Sequence, residues 1–286
     1  MARPLTVTVA TGGADTSIPT GPQFGANFAI VGPDGTRVAF NDPTDVDYVG
    51  MLTDISGFDA PDLRESADDL VQQDGGIHGD FFYGRRPVTL SGMILNPASA
   101  DDRNRKMTRM MRACRALRSD ATISWVLSGG YEQYIRVRLQ NGPRFQGNWQ
   151  KEFMVGMVAA DPRIYSTTLN STFVPLGGSA TLTNNGNAWM YPNIAIYGPV
   201  TNPTLRNFTT GESINIIYTL VAGQFLALDV ANHTVLLNGT TSLYSSVDLA
   251  STSWWALAPG ANDIRSTVYA SSAGAGITVE YRDTWM

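Results

Sequence analysis

Beyond residue 178 no stretch of the chain carries the 3.6-residue period of an amphipathic helix. Short alternating runs recur instead, each closed by a turn signal. Asn185-Gly186 separates strand candidates at 179–183 and 189–197, and Ile214, Ile216 and Tyr218 alternate with Asn215 and Ile217. The runs 225–230 (FLALDV) and 234–239 (TVLLNG) straddle Ala231-Asn232-His233 as a hairpin, and 265–270 and 275–283 read as a last pair. Strands of this length must each bury one face against another layer. A long region built only of them is a sandwich or a barrel.

The first half is less uniform. Residues 5–9 alternate as a strand, and a polar loop runs from Thr11 to Gln23. Residues 28–31 and 37–40 flank the turn Gly32-Pro33-Asp34-Gly35, and 46–55 reads as another strand. Residues 58–76 are acidic and weakly apolar, and read as a long loop or arm. In 77–95 one strand face carries Val88, Leu90, Gly92 and Ile94, with Arg85-Arg86-Pro87 at its entry, where a proline costs no ladder bond. A helix is predicted over 100–118. Ser99 would cap it, Asp101 and Asp102 suit its positive end, and Met107, Met110, Met111, Cys114 and Leu117 form its apolar stripe.

Strands then resume at 121–127 and 131–139, the latter with Tyr131, Ile135, Val137 and Leu139 on one face. A turn is expected at Asn141-Gly142, followed by a strand over 149–157 with Trp149, Phe153, Val155 and Met157 inward. Ala160-Asp161-Pro162 closes this half, and 163–178 reads as an extended connector. With 286 residues the expectation is two domains, 1–166 and 167–286.

Composition narrows the function. Hydrophobic residues make up 43% and charged residues 16%, which excludes a wholly disordered chain. The net charge of −5 argues against a general nucleic-acid binder, and no sequence-specific nucleic acid is expected. A lone cysteine, Cys114, excludes an internal disulfide and fits cytosolic assembly. Neither a signal peptide nor a membrane segment is expected. The two histidines, His78 and His233, belong to no recognisable catalytic or zinc motif. The run Asp42 to Asp47 resembles a calcium loop but lacks its glycine and distal Glu. No catalytic residue, metal or cofactor is expected.

Two surface features remain. Seven of the 20 basic residues lie on the helix: Arg103, Arg105, Lys106, Arg109, Arg112, Arg115 and Arg118. Arg105, Arg109 and Arg112 are candidates for an inter-subunit surface, with the acidic arm residues Asp62, Glu65, Asp68 and Asp69 as their complement. A solvated helix face is the plainer alternative. Trp254 and Trp255 are candidates for stacking on a sugar, with core packing as the alternative.

The order of these segments resembles the distal tail (Dit) protein family of long-tailed (siphovirus) bacteriophages. GDFFYGRRPVTLSGMI (79–94) is followed by the basic helix DDRNRKMTRMMRACRAL (101–117), and VAADPRIYS (158–166) resembles the close of the family's N-terminal domain. Then come the block 183–214, the hairpin 225–239, WWALAPGANDIRSTV (254–268) and ITVEYRDTW (277–285). The resemblance covers most of residues 75–286. It implies a mainly β subunit: an N-terminal, partly open β-barrel with one helix and an extended arm, then a galectin-like β-sandwich. It also implies a non-enzymatic ring, typically a hexamer, at the distal end of the tail. Such a ring, assembled in the host cytoplasm, joins tail-tube protein to tip proteins around a channel for DNA. A carbohydrate-binding module at the tail tip, contacting host cell-surface glycan, and another minor tail or tail-tube protein are the alternative readings.

Overall fold

The computed structural model describes residues 26–69, 76–115, 119–127, 130–268, 270–271 and 275–286. The strand expected at 5–9, the loop at 11–23 and Leu117 and Arg118 lie outside them. The first half contains β1 (Phe28–Val31), β2 (Arg37–Phe40), β3 (Tyr48–Ser56), β4 (Leu63–Asp69), β5 (Gly76–Tyr83) and β6 (Arg86–Ile94). Helix α1 (Ala100–Ala113) follows, then β7 (Ala121–Val126), β8 (Glu132–Gln146), β9 (Lys151–Ala159) and β10 (Ile164–Ser166).

Seven of these strands close into a barrel in the order β8-β7-β1-β2-β3-β6-β9, with β9 pairing back onto β8. The thinnest seam is β2–β3, a parallel contact of two residue pairs with a bulge. Closure depends on β8, which runs straight through Asn141-Gly142, where a turn was expected. Register shifts at Leu139/Asn141 and Asn141/Arg144 bend the strand instead, so that its first part pairs with β7 and a longer stretch reaches β9. Bulges turn a strand without ending it.

Strand β6 alternates as its sequence predicts, with Val88, Leu90, Gly92 and Ile94 all buried. Fully burying a Val or Leu contributes about 1.5–3 kcal/mol. Phe28, Phe58 and Trp125 pack together, Phe58 edge-on to Trp125 at 5.0 Å. Helix α1 begins as expected, the Ser99 side chain accepting the Asp102 N–H, but it ends at Ala113. Of its stripe Met110 and Cys114 are buried and Met107 packs at the margin, whereas Met111 is exposed. Trp149 also points outward, ahead of β9, beneath the Arg103 guanidinium at 5.6 Å. Within the 58–76 stretch, residues 58–62 are irregular but Leu63–Asp69 is a strand. This strand, β4, forms a two-stranded ribbon with β5 that pairs with no other described strand.

The second half contains β11 (Asn170–Val174), β12 (Ser179–Asn184), β13 (Asn193–Tyr197), β14 (Val200–Thr201), β15 (Thr204–Asn207), β16 (Glu212–Asn215) and β17 (Thr219–Leu220). After these come β18 (Phe225–Asp229), β19 (Thr234–Leu237), β20 (Thr241–Ser242), β21 (Gly260–Thr267), β22 (Ala270–Ser271), β23 (Gly276–Tyr281) and β24 (Thr284–Trp285). A six-stranded sheet, β11-β23-β13-β18-β19-β20, faces a four-stranded one, β12-β21-β15-β16. Ile194, Ile196, Leu226, Leu228, Ile277 and Val279 from the first meet Leu182, Leu205, Ile214 and Ile264 from the second in one core.

Three expectations change here. The stretch 163–178 contains β10 and β11 rather than a plain connector. The runs 265–270 and 275–283 are not partners, because β21 and β23 belong to opposite sheets. The end of the chain does not stay in the sandwich. Strand β24 pairs with β10, and Trp285 joins the barrel core.

Candidate assembly surface

Helix α1 presents Asp101, Arg105, Thr108, Arg109 and Arg112 along one face, at the spacing of successive turns. Opposite lie Gly35, Thr36, Arg37 and Asp47, and between them runs an open groove of about 810 Å³. Short aspartates shape the facing loops by bonding their own backbone. Asp34 accepts the Thr36 N–H at 2.9 Å, Asp42 that of Thr44 at 2.9 Å, and Asp45 that of Asp47 at 2.8 Å.

The arginines tie this loop to the helix. Arg37 pairs with Asp45 at 2.8 Å and Asp47 at 3.2 Å. Arg109 donates to Asp47 and, at 2.9 Å, to the Arg37 carbonyl, while Arg112 reaches Asp34 at 3.2 Å. The Arg37 hydrogen bond holds the Asp45 carboxyl below its usual range, and the Thr36 N–H does the same for Asp34. Exposed pairs of this kind are screened by solvent and contribute little to stability, so the network orients the groove more than it stabilises the fold. Arg105, 3.7 Å from Asp102, and Arg112 keep side chains 78% and 67% exposed.

The structure thus brings the predicted arginines Arg105, Arg109 and Arg112 together, but with Asp102, Asp47 and Asp34 of their own chain. Asp62 is exposed and, through its carbonyl, accepts the Gly84 N–H at the base of the ribbon. Glu65, Asp68 and Asp69 lie along β4, their side chains outside the described residues.

Neither tryptophan offers a free platform of the expected kind. Trp255 is fully buried and donates to the Leu205 carbonyl at 3.2 Å. Trp254 is half-buried and stacks on His233 at 4.9 Å and on Tyr244 at 6.5 Å. His233 occupies the left-handed region in the β18–β19 turn. Among the described residues no group of three or more His, Cys, Asp or Glu is placed to hold a metal, and no helix is long and apolar enough to cross a membrane.

Cys114 is 4% exposed, and burial pushes its thiol up to about 12. A thiolate is the reactive form. Native protein at pH 8 should therefore leave Ellman's reagent essentially unreacted, while the same protein in guanidinium should release one equivalent of thionitrobenzoate; rapid labelling of the native form would contradict the burial.

Two structural sites escaped the sequence reading. Arg86 is buried, donating to the carbonyls of Pro162 at 2.8 Å, Gly57 at 3.0 Å and Asp59. Asp283 is also buried and accepts from Tyr131 Oη at 2.6 Å, from the Asn185 N–H at 2.9 Å and from Asn185 Nδ2 at 3.0 Å. It thereby joins the two halves. Neither residue has a local pattern that marks it, because its partners are remote in sequence.

Residues 185–285 match the sequence family described as siphovirus-type tail component, C-terminal domain. No curated protein sequence matches the chain. The fold is similar to that of the Dit protein of phage SPP1, titled a paradigm of the hub of the adsorption apparatus in phages infecting Gram-positive bacteria. That likeness has a TM-score of 0.69 and 12% identity over 91% of this chain and 99% of the other. A chain of the phage P2 baseplate, in its activated conformation with calcium, is similar at a TM-score of 0.48 and 11% identity, over 89% of this chain and 97% of that one.

Proposed function

We propose that this chain is a member of the Dit family of siphovirus tail proteins and a structural subunit of the hub at the distal end of a phage tail, a reading supported by the sequence match over residues 185–285 and by the whole-length likeness of fold. The observation that carries this reading is the shared fold over nearly the entire length of both chains. We assign residues 1–166 to a ring-forming domain and most of 167–286 to an outward sandwich, with β24 returned to the first. The ring, a hexamer in this reading, joins tail-tube protein to tip proteins, encloses a channel for DNA and needs no catalytic group.

Ring closure requires a heterologous contact, one patch of each subunit meeting a different patch of the next. The α1 groove and the β4–β5 ribbon are suitable for such a contact. The ribbon pairs with no other described strand, and Arg105 and Arg112 keep side chains largely exposed to solvent. Arg109 is unsuited to the test, since it holds the groove together. Negative-stain imaging and mass photometry of the full chain should show a discrete ring of six. The double variant R105E/R112E should shift it to smaller species with the thermal unfolding midpoint unchanged. A filament would point to a tube protein, and an obligate monomer would overturn the ring. Intact rings in the double variant would remove this helix face from the interface.

A further inference from the structure

One face of the six-stranded sheet packs on the sandwich core; the outward residues of the other are half-buried to exposed among the described residues. An exposed sheet face is ordinarily covered with mixed charges. The middle of this one is not. Across β23, β13, β18 and β19 the register aligns Thr278, Ala195, Ala227 and Leu236 in one row, a floor mostly of small side chains. Toward one end of the strands the next outward row is Tyr197 and Phe225, whose rings lie 5.9 Å apart. Phe173, on the edge strand β11, stands opposite Thr278 at the end of the floor row, and its ring leans toward the aromatic row. Its ring lies over Gly276, the register partner of Tyr197, at a point where any Cβ would collide with it. Phe173 and Tyr197 are 57% and 44% exposed.

Toward the other end the flanking row is Glu280, Asn193 and Asp229. Asp229 is held in place by Asn232, whose N–H and Nδ2 it accepts at 3.0 and 2.7 Å. Each of its oxygens retains a further acceptor position. The two flanking rows are four residues apart, roughly 13 Å along the strands. The result is a trough lying across the sheet. Aromatic rings form one wall, carboxylates and an amide the other, and methyl and hydroxyl groups the floor.

We propose that this trough is a binding site for a neutral glycan chain. Aromatic faces pack against the C–H face of a pyranose, while carboxylate and amide oxygens accept its hydroxyl protons. A small number of placed polar groups on an apolar bed is the usual composition of a small-ligand site. The named outward residues include no Lys or Arg, and two acids line one wall. An anionic polymer is therefore disfavoured by charge, and a hydroxyl-rich neutral chain is accommodated. The site lies away from Trp254 and Trp255.

The test uses the full chain on a glycan array of neutral, sialylated and phosphorylated oligosaccharides, with chitohexaose titrated in solution by calorimetry. Neutral oligosaccharides are expected to bind and anionic ones not. Y197A and N193A should each weaken the binding roughly tenfold, the loss expected for one stacked ring or one good hydrogen bond. W254A should bind as the parent does. Tyr197 and Asn193 are exposed and Trp254 is half-buried, and matching melting curves establish that each variant is folded. Absence of any neutral ligand, preference for anionic glycans, or neutral binding insensitive to both Y197A and N193A would each overturn the proposal. None of these results depends on whether the protein forms a ring.

Discussion

Replacing Trp285 by alanine is expected to destabilise the protein by about 3–5 kcal/mol, the usual cost of emptying a buried large aromatic site. Trp285 is the second-to-last residue and 1% exposed. It pairs with Ile164 across β10 and β24 and meets Tyr131 edge-on at 6.0 Å. Its neighbours all belong to the barrel core, so the damage should appear far back in the sequence. Amides of β8 and β10 should lose hydrogen-exchange protection before those of the sandwich. W285F should recover most of the stability. A urea midpoint shift worth less than about 1 kcal/mol, with barrel protection intact, would show that β24 is an ornament on that core.

The second large effect is expected at Arg86. Its guanidinium, 1% exposed, makes no ion pair with a carboxylate among the described residues and serves three main-chain carbonyls. Burial lowers its pKa and nearby Asp59 opposes that shift, yet an arginine stays charged. R86A would remove the donor to the carbonyls of Gly57, Asp59 and Pro162 at once. A desolvated acceptor left without its partner costs about 1–3 kcal/mol, and the emptied site adds lost packing. The arginine sits where the β3–β4 and β9–β10 connections converge on the start of β6. Gly57 makes that convergence possible, with φ +88 and no room for a Cβ beside the Pro87 carbonyl. Lysine should rescue only in part, because one ammonium cannot copy a planar fork. Chemical denaturation decides the matter. If R86M were as stable as the parent, packing rather than carbonyl bonding would be what the site requires.

Local patterning was readable where one strand face is buried and the other is not. β6 alternates residue by residue as expected, and the β18–β19 hairpin pairs Leu226 with Leu237 around the turn that the sequence marks. Helix α1 was readable at its start because Ser99 and Asp102 are neighbours in sequence. Its end was not, since Met111 fits the apolar spacing but faces solvent. The sequence of β4, LRESADD, shows no apolar alternation, and the ribbon it forms with β5 pairs with no other described strand, so no neighbouring strand marks it. Asn141-Gly142 carries a turn signal, yet the barrel uses the same residues to bend a continuous strand. The assembly surface was legible as charge and not as pairing. The Arg stripe is plain in the sequence, but Asp34, Asp45 and Asp47 become its partners only through the loops that the barrel brings beneath the helix.

The return of β24 to the barrel has a consequence for how the molecule is made. Synthesis runs from the N-terminus, and a leading domain ordinarily folds while the rest is still being translated. Here the first core lacks Trp285 until residue 285 has left the ribosome, and β10 has no outer neighbour until then. Nascent barrels should therefore stay incompletely packed while the whole sandwich is being translated. The barrel core is closed by a segment that follows the whole sandwich in sequence, so the two cores are expected to finish packing together rather than one after the other.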